Sequence, residues 1–217
     1  MNSKIGCAAA LVLLCLFFAP GDARAQEEKD APKVEVGVQF TSLTMSDSFR
    51  GSSSEPGFGG RITYNLTNSF ALETQFDFFP DGERFRGSRS GGRIAQGLFG
   101  VKAGKRFEKF GVFGKVRPGF TSFSAGREEA ILISATPNFV LDFRPHRETH
   151  FATDVGGVLE FYPTRRIVTR FDAGDTIIRY RDTTRTFFDS TGAPQPVPFG
   201  SETRHNFQFS AGVGFRF

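Results

Sequence analysis

Chemistry in this chain would first be sought at its histidines and serines. His146, His150 and His205 are its three histidines. A serine hydrolase needs an imidazole within hydrogen-bond reach of a hydroxyl and an orienting acid behind it. Ser122, Ser124, Ser201 and Ser210 are the candidate nucleophiles, with His150 and His205 as candidate bases. Nothing in their spacing demands a triad, and both histidines fall near strand ends, so the chain is not expected to be an enzyme. His146 and His150 stand four apart, but Pro145 precedes them and no helical period surrounds them, so no metal site is expected. Cys7 and Cys15 both precede residue 26. The rest of the chain therefore has no disulfide, thiolate ligand or cysteine nucleophile. No cofactor is expected.

A second set of residues carries charge rather than reactivity. Glu35, Glu73, Asp77, Asp154, Glu160 and Asp172 each stand out of phase with apolar neighbours, as do Arg61, Lys102, Lys115, Arg117, Arg170 and Arg216. That is six acids against six bases spread along the chain. A water-facing surface has no need of such balance, whereas a closed interior must pair its ions. The twelve are read as a barrel-interior ion network.

The elements that would hold these residues alternate in period two, the mark of strands with one apolar face. Eight strands are expected, over 33–43, 58–66, 70–79, 94–105, 110–122, 149–162, 166–180 and 205–217. In the first, Val34, Val36, Val38 and Phe40 oppose Glu35, Gly37 and Gln39. In the last, Phe207, Phe209, Ala211, Val213, Phe215 and Phe217 oppose Gln208, Ser210 and Arg216. Connections after the second, fourth and sixth strands are short. Those after the first, third, fifth and seventh are long and rich in Gly, Ser, Arg and Asp. Two places resist this scheme. The span 121–148 is too long for a simple loop, and 138–144 either extends the sixth strand or forms a short hairpin. Asp175 falls on the apolar face, which calls for a bulge near Gly174 or a position above the membrane.

Composition sets the solvent. The 217 residues include 28 Phe, 3 Tyr, no Trp and 25 Gly. Residues 1–25 read as a signal peptide: Lys4, an apolar run to Phe18, and Ala23-Arg24-Ala25 as a cleavage site. A lipid-acceptor role for Cys15 fits less well, because Leu14 rather than a small residue precedes it. Residues 26–32 are read as a charged periplasmic lead-in. Without Lys4, Asp22 and Arg24 the chain keeps 25 basic and 22 acidic residues, dispersed rather than clustered, which excludes a nucleic-acid partner. No later run is long and apolar enough for a membrane helix, which leaves open a membrane barrel, whose strands are weakly hydropathic. Short turns at one end and long loops at the other are the pattern of a bacterial outer-membrane barrel.

Three stretches carry a family resemblance: 61–80 (RITYNLTNSFALETQFDFFP), 113–120 (FGKVRPGF) and 207–217 (FQFSAGVGFRF). Together they resemble the OmpA-like outer-membrane β-barrel domain family of small eight-stranded barrels, over 33–217. The resemblance implies an all-β, antiparallel up-and-down transmembrane barrel in the outer membrane of a Gram-negative cell envelope. It implies that Val213, Phe215 and Phe217 form the signal read by the barrel-assembly machinery. The chain ends at the barrel, so a peptidoglycan-binding role is not carried over. An eight-stranded barrel is just wide enough to be filled by side chains, so no open porin is expected. The preferred reading is a structural or surface-interaction barrel acting through its long extracellular loops, as a monomer. Arg50, Arg84, Arg86, Arg89, Arg93, Arg144, Arg147, Arg181 and Arg185 would meet outer-membrane lipids and lipopolysaccharide phosphates there. The alternatives are a small-solute transport barrel and a lipid-modifying enzyme.

Overall fold

The structure is a computed structural model that describes residues 32–47, 51–80, 91–134, 140–189 and 193–217. The expected signal peptide, its cleavage site and all but Pro32 of the lead-in lie outside these residues. Pro32–Phe217 forms one compact unit.

Among the described residues the strands are β1 (Val34–Asp47), β2 (Gly51–Asn65), β3 (Phe70–Phe79), β4 (Gly91–Arg106), β5 (Phe110–Ser134), β6 (Val140–Phe161), β7 (Ile167–Tyr180), β8 (Thr183–Phe188), β9 (Pro194–Phe199) and β10 (Glu202–Arg216). Eight of them close a barrel in the order β1-β10-β7-β6-β5-β4-β3-β2, and every pairing is antiparallel. The seam runs from Glu35↔Arg216 to Thr44↔Phe207. Closure satisfies backbone groups that would otherwise stand unpaired in hydrocarbon.

Three short turns close one end. In the first, Thr67 Oγ1 accepts the amides of Ser69 and Phe70 at 3.2 and 3.0 Å. In the third, Thr164 Oγ1 accepts those of Arg166 and Ile167 at 3.3 and 3.1 Å. A hydroxyl bonded to amides two and three residues on supplies part of the turn's own hydrogen bonding, which fixes the register of both hairpins. The second turn is set by the Phe107 amide, which donates to Phe110 O at 2.7 Å under stacked Phe107 and Phe110 rings.

The other end departs from a plain eight-strand reading. Within the span 121–148, residues 121–134 and 140–148 are strand: β5 and β6 run to 25 and 22 residues and pair well beyond their barrel neighbours. Sixth-strand extension therefore holds, and the fifth extends with it. The seventh connection carries an additional hairpin, β8–β9. Asp175 needs no bulge, since β7 and β10 stay in continuous register through Gly174↔Gln208 and Asp175↔Phe207. Its carboxylate lies 2.5 Å from His205 Nδ1 on the exposed face. The β4–β5 register does shift between Gly91 and Ile94, where Gly92 has φ of 78°. A β-carbon is disfavoured in that conformation, so glycine is what lets the bulge form.

Two opposite faces follow from the pleat. Outward side chains form an apolar belt that includes Val38, Phe40, Phe58, Ile62, Phe76, Phe99, Val116, Phe151, Phe207 and Val213, all exposed. The inward faces are buried and mostly polar. A water-soluble body would invert this arrangement.

Candidate functional site: the lumen and the outer rim

The inward phase of the barrel strands brings the charged residues of the sequence together. Glu35, Glu73, Asp77, Asp154, Glu160, Asp172, Arg61, Lys102, Lys115, Arg117, Arg170 and Arg216 are all inside, none more than 7 % exposed. Glu73 on β3 is the hub. Arg117 reaches it from β5 at 2.5 Å, and Arg170 grips both its oxygens from β7. Arg117 also donates twice to Asp154 Oδ2, at 2.9 and 2.5 Å, and once to Gln75 Oε1. Arg170 forks onto Asp172 at 2.7 and 2.9 Å. Lys115 sits between Asp154 and Asp172 at 2.9 and 3.1 Å, and Lys102 donates to Glu160 at 2.5 Å. Bidentate guanidinium–carboxylate geometry is what makes ions tolerable at such burial.

Toward the short turns the network continues through a residue that the sequence reading left out. Arg106 lies one position past the expected fourth strand but in the same inward phase as Lys102. It reaches Glu35 at 3.3 Å and Glu160 at 3.7 Å. Arg216 approaches Glu35 at 3.3 Å and lies over the Tyr162 ring, whose hydroxyl donates to Glu160 at 2.9 Å. On the other side of the hub the polar contacts are neutral. Asp77 accepts from the amides of Gln39, Gln75 and Gln208 at 2.8, 2.5 and 3.2 Å. Arg61 makes one long contact, 3.4 Å to Gln39 Oε1, and its Nε and Nη2 have no partner among the described residues.

Nearer the long loops the inward phase turns apolar. Leu43 and Met45 of β1, Phe79 of β3, Ile94 of β4, Phe123 of β5, Ala152 of β6 and Ile178 and Tyr180 of β7 form one buried cluster. Outward positions at that level include polar ones beside the last belt residues, Phe151 and Phe207: Thr44 bonds Ser54 at 2.8 Å, and Asp175 meets His205. The swap of greasy and polar faces marks where these strands leave hydrocarbon for water.

The serines and histidines do not assemble. His150 is buried against Phe123 and Tyr180, with ring centroids at 6.0 and 4.6 Å, and its Nε2 is 3.4 Å from Glu148. His205 points out of the opposite face of the wall. Ser122 accepts from Thr149, and Ser210 donates to Thr41 inside the lumen. Among the described residues no cluster of His, Cys, Asp or Glu has the arrangement of a metal site. Of the loop arginines, Arg93, Arg144, Arg147 and Arg181 are exposed, and Arg185, on β8 of the outer hairpin, is buried with its guanidinium over the Phe199 ring. Arg50, Arg84, Arg86 and Arg89 lie outside the described residues. At the chain end, Val213, Phe215 and Phe217 all face outward, and the last two rings meet edge-on at 5.0 Å.

Comparison with known proteins follows the same lines. A family model described as an outer membrane protein beta-barrel domain matches residues 9–217. Neisserial surface protein A is similar in structure at 12 % identity, with 88 % of this chain and 100 % of that one covered and a TM-score of 0.50. The outer membrane protein OprG of Pseudomonas aeruginosa is similar at 11 % identity, with 87 % and 97 % covered and a TM-score of 0.50. Ail, the attachment invasion locus protein of Yersinia pestis, aligns at 13 % identity over 86 % and 99 %, with a TM-score of 0.49. No curated protein matches the chain.

Proposed function

This chain belongs to the outer membrane protein β-barrel domain family, and on that premise we propose that its barrel is a rigid, non-enzymatic carrier for surface-interacting outer loops. The observation that carries this reading is the contrast between the two ends. The short-turn end is minimal, whereas the long-loop end invests in strand beyond the barrel wall, in β5, β6 and the β8–β9 hairpin. Exposed Phe187, Val197 and Phe199 on that hairpin, exposed Arg181 just before it and exposed Arg144 and Arg147 on the outer part of β6 offer apolar and guanidinium contact at this end. Guanidinium forks match phosphate oxygens, so the phosphates of lipopolysaccharide are the partner this chemistry favours. The chain acts as a monomer, inserted by the barrel-assembly machinery with Val213, Phe215 and Phe217 as its terminal signal.

The test is binding of purified lipopolysaccharide to the full chain in detergent micelles. Replacing Arg144, Arg147 and Arg181 by Gln is expected to weaken binding at least several-fold while heat-modifiable migration is kept. Unchanged binding would remove lipopolysaccharide as the partner. The hydrolase alternative has its own check: a variant lacking the imidazoles of His150 and His205 should leave the lipid A profile of expressing cells unaltered.

A further inference from the structure

The short-turn end carries a feature that neither the lumen nor the outer loops account for. Lys33 precedes β1, Lys105 is the last residue but one of β4, Lys109 lies in the second turn, and Arg165 and Arg166 lie in the third; all five are exposed. Among the described residues at this end, Glu108 is the one exposed acidic side chain. The other acids there, Glu35 and Glu160, are buried and committed to Arg106, Arg216, Lys102 and Tyr162. Five exposed cationic side chains against one acidic side chain therefore ring the rim of this mouth.

The ring sits at a defined depth. Immediately beside it the outward wall carries Leu66, Phe70, Phe107, Phe110, Phe161, Ile167 and Phe217, all exposed. In a family whose short turns face the periplasm, this aromatic edge meets the inner boundary of the hydrocarbon. Lys105 is the link between the two layers. It is an outward-facing residue of β4, and its Nζ lies 5.5 Å from the Phe107 ring centre. A lysine whose stem runs along an apolar ring while its ammonium reaches for the boundary has the geometry of a snorkelling side chain.

We propose that this basic ring is a binding surface for the acidic headgroups of inner-leaflet phospholipids, such as phosphatidylglycerol. Charge sign, depth and continuity with the apolar belt all point to a partner that lies in the membrane plane rather than one that docks from the periplasm. Each cation near an acidic lipid surface favours it by roughly five-fold, and salt weakens the effect.

The experiment uses the full chain reconstituted in phosphatidylcholine vesicles, with spin-labelled phosphatidylglycerol and phosphatidylcholine as probes of the motionally restricted lipid shell. Wild type is expected to hold phosphatidylglycerol roughly three-fold over phosphatidylcholine at low salt and to approach parity at 1 M salt, roughly where screening is complete. The variant K105Q/K109Q/R165Q/R166Q should fall to near parity at low salt and still migrate as a folded barrel before boiling. Changing instead outer cations that the lipopolysaccharide reading does not use, in R179Q/R204Q, should leave the preference intact. The proposal is overturned by parity in wild type, which would make the preceding stretch Glu27, Glu28 and Asp30 the better counter-charge. It is equally overturned by a preference that survives the four short-turn substitutions or disappears with the outer ones.

Discussion

At the scale of single residues, Glu73 is the position on which the lumen depends most. It accepts from Arg117 and from both Nη atoms of Arg170, all at less than 2 % exposure. A neutral amide there would keep the shape but leave two buried guanidinium groups short of a charge. Breaking one partner of a buried ion pair costs about 3–5 kcal/mol, because the survivor has nowhere to go. Glu73→Gln is therefore expected to lower the unfolding free energy by about 3 kcal/mol or more in guanidinium titrations of the micelle-folded barrel. A loss below about 1 kcal/mol would mean that Asp154 and Asp172 can hold both arginines without it. Gly92 offers a backbone counterpart. Its φ of 78° is open to glycine and strained for alanine, so Gly92→Ala should cost about 1–2 kcal/mol by the same titration. An unchanged midpoint would show that the bulge relaxes into regular register.

At the scale of elements, the pleat does the sorting, and it can be tested from the lipid side. Val116 is an exposed outward residue midway along the part of β5 that crosses the belt, in register with Val101 and Val155. An arginine facing lipid at mid-depth costs about 2–4 kcal/mol, falling to about 0–1 near the interface. Val116→Arg should therefore destabilise the vesicle-inserted barrel by about 2–4 kcal/mol, while Thr203→Arg, beyond the belt on β10, should cost under about 1 kcal/mol. Equal small effects would mean that the belt does not face hydrocarbon. The same alternation explains what was legible beforehand. Strand β3 was readable to its ends because Phe70, Leu72 and Phe76 alternate cleanly with Glu73, Gln75 and Asp77 inside one short, fully embedded strand. The outer extension of β5 was not, and that of β6 only as one of two alternatives, because a hairpin that leaves the wall loses the two contrasting solvents that impose the period. Strand β9 falls within the long connection expected after the seventh strand, and its Pro194, Pro196 and Pro198 are residues that usually break a strand. In the structure they pair with Phe188, Thr186 and Thr184 at every second position. A proline has no N–H, and such alternate positions let the missing donors face away from β8. The apolar cluster was overlooked because Leu43, Met45, Phe79 and Ile178 continue the inward phase of Gln39, Asp77 and Thr176 with the opposite chemistry. Ion-pair partners in the lumen were beyond sequence altogether: period two assigns a face, but barrel shear decides which inward residues meet.

For the molecule as a whole, two buried layers cross the lumen in series, and both are predicted to seal it. The first is ionic, with Glu73, Arg117, Arg170, Asp154 and Asp172 spanning the bore from β3, β5, β6 and β7. The second is greasy, with Leu43, Phe79, Ile94, Phe123, Ile178 and Tyr180 packed at 2 % exposure or less above it. Opening the first by thermal motion would unpair several buried ions at once, at a cost of more than about 5 kcal/mol, which keeps the open state below about one part in a thousand. Water and ions that passed it would still face a dry constriction. Wild-type barrel in planar bilayers is therefore expected to show no stepwise conductance above leak. More tellingly, a variant that removes the ionic layer alone, E73A/R117A/R170A, should stay silent if it folds. Conductance should appear only when Phe79, Phe123 and Tyr180 are also reduced to alanine. Steps in wild type would revive the small-solute transport reading. Steps in the first variant would show that the greasy layer is no barrier and that the ions alone hold the barrel shut.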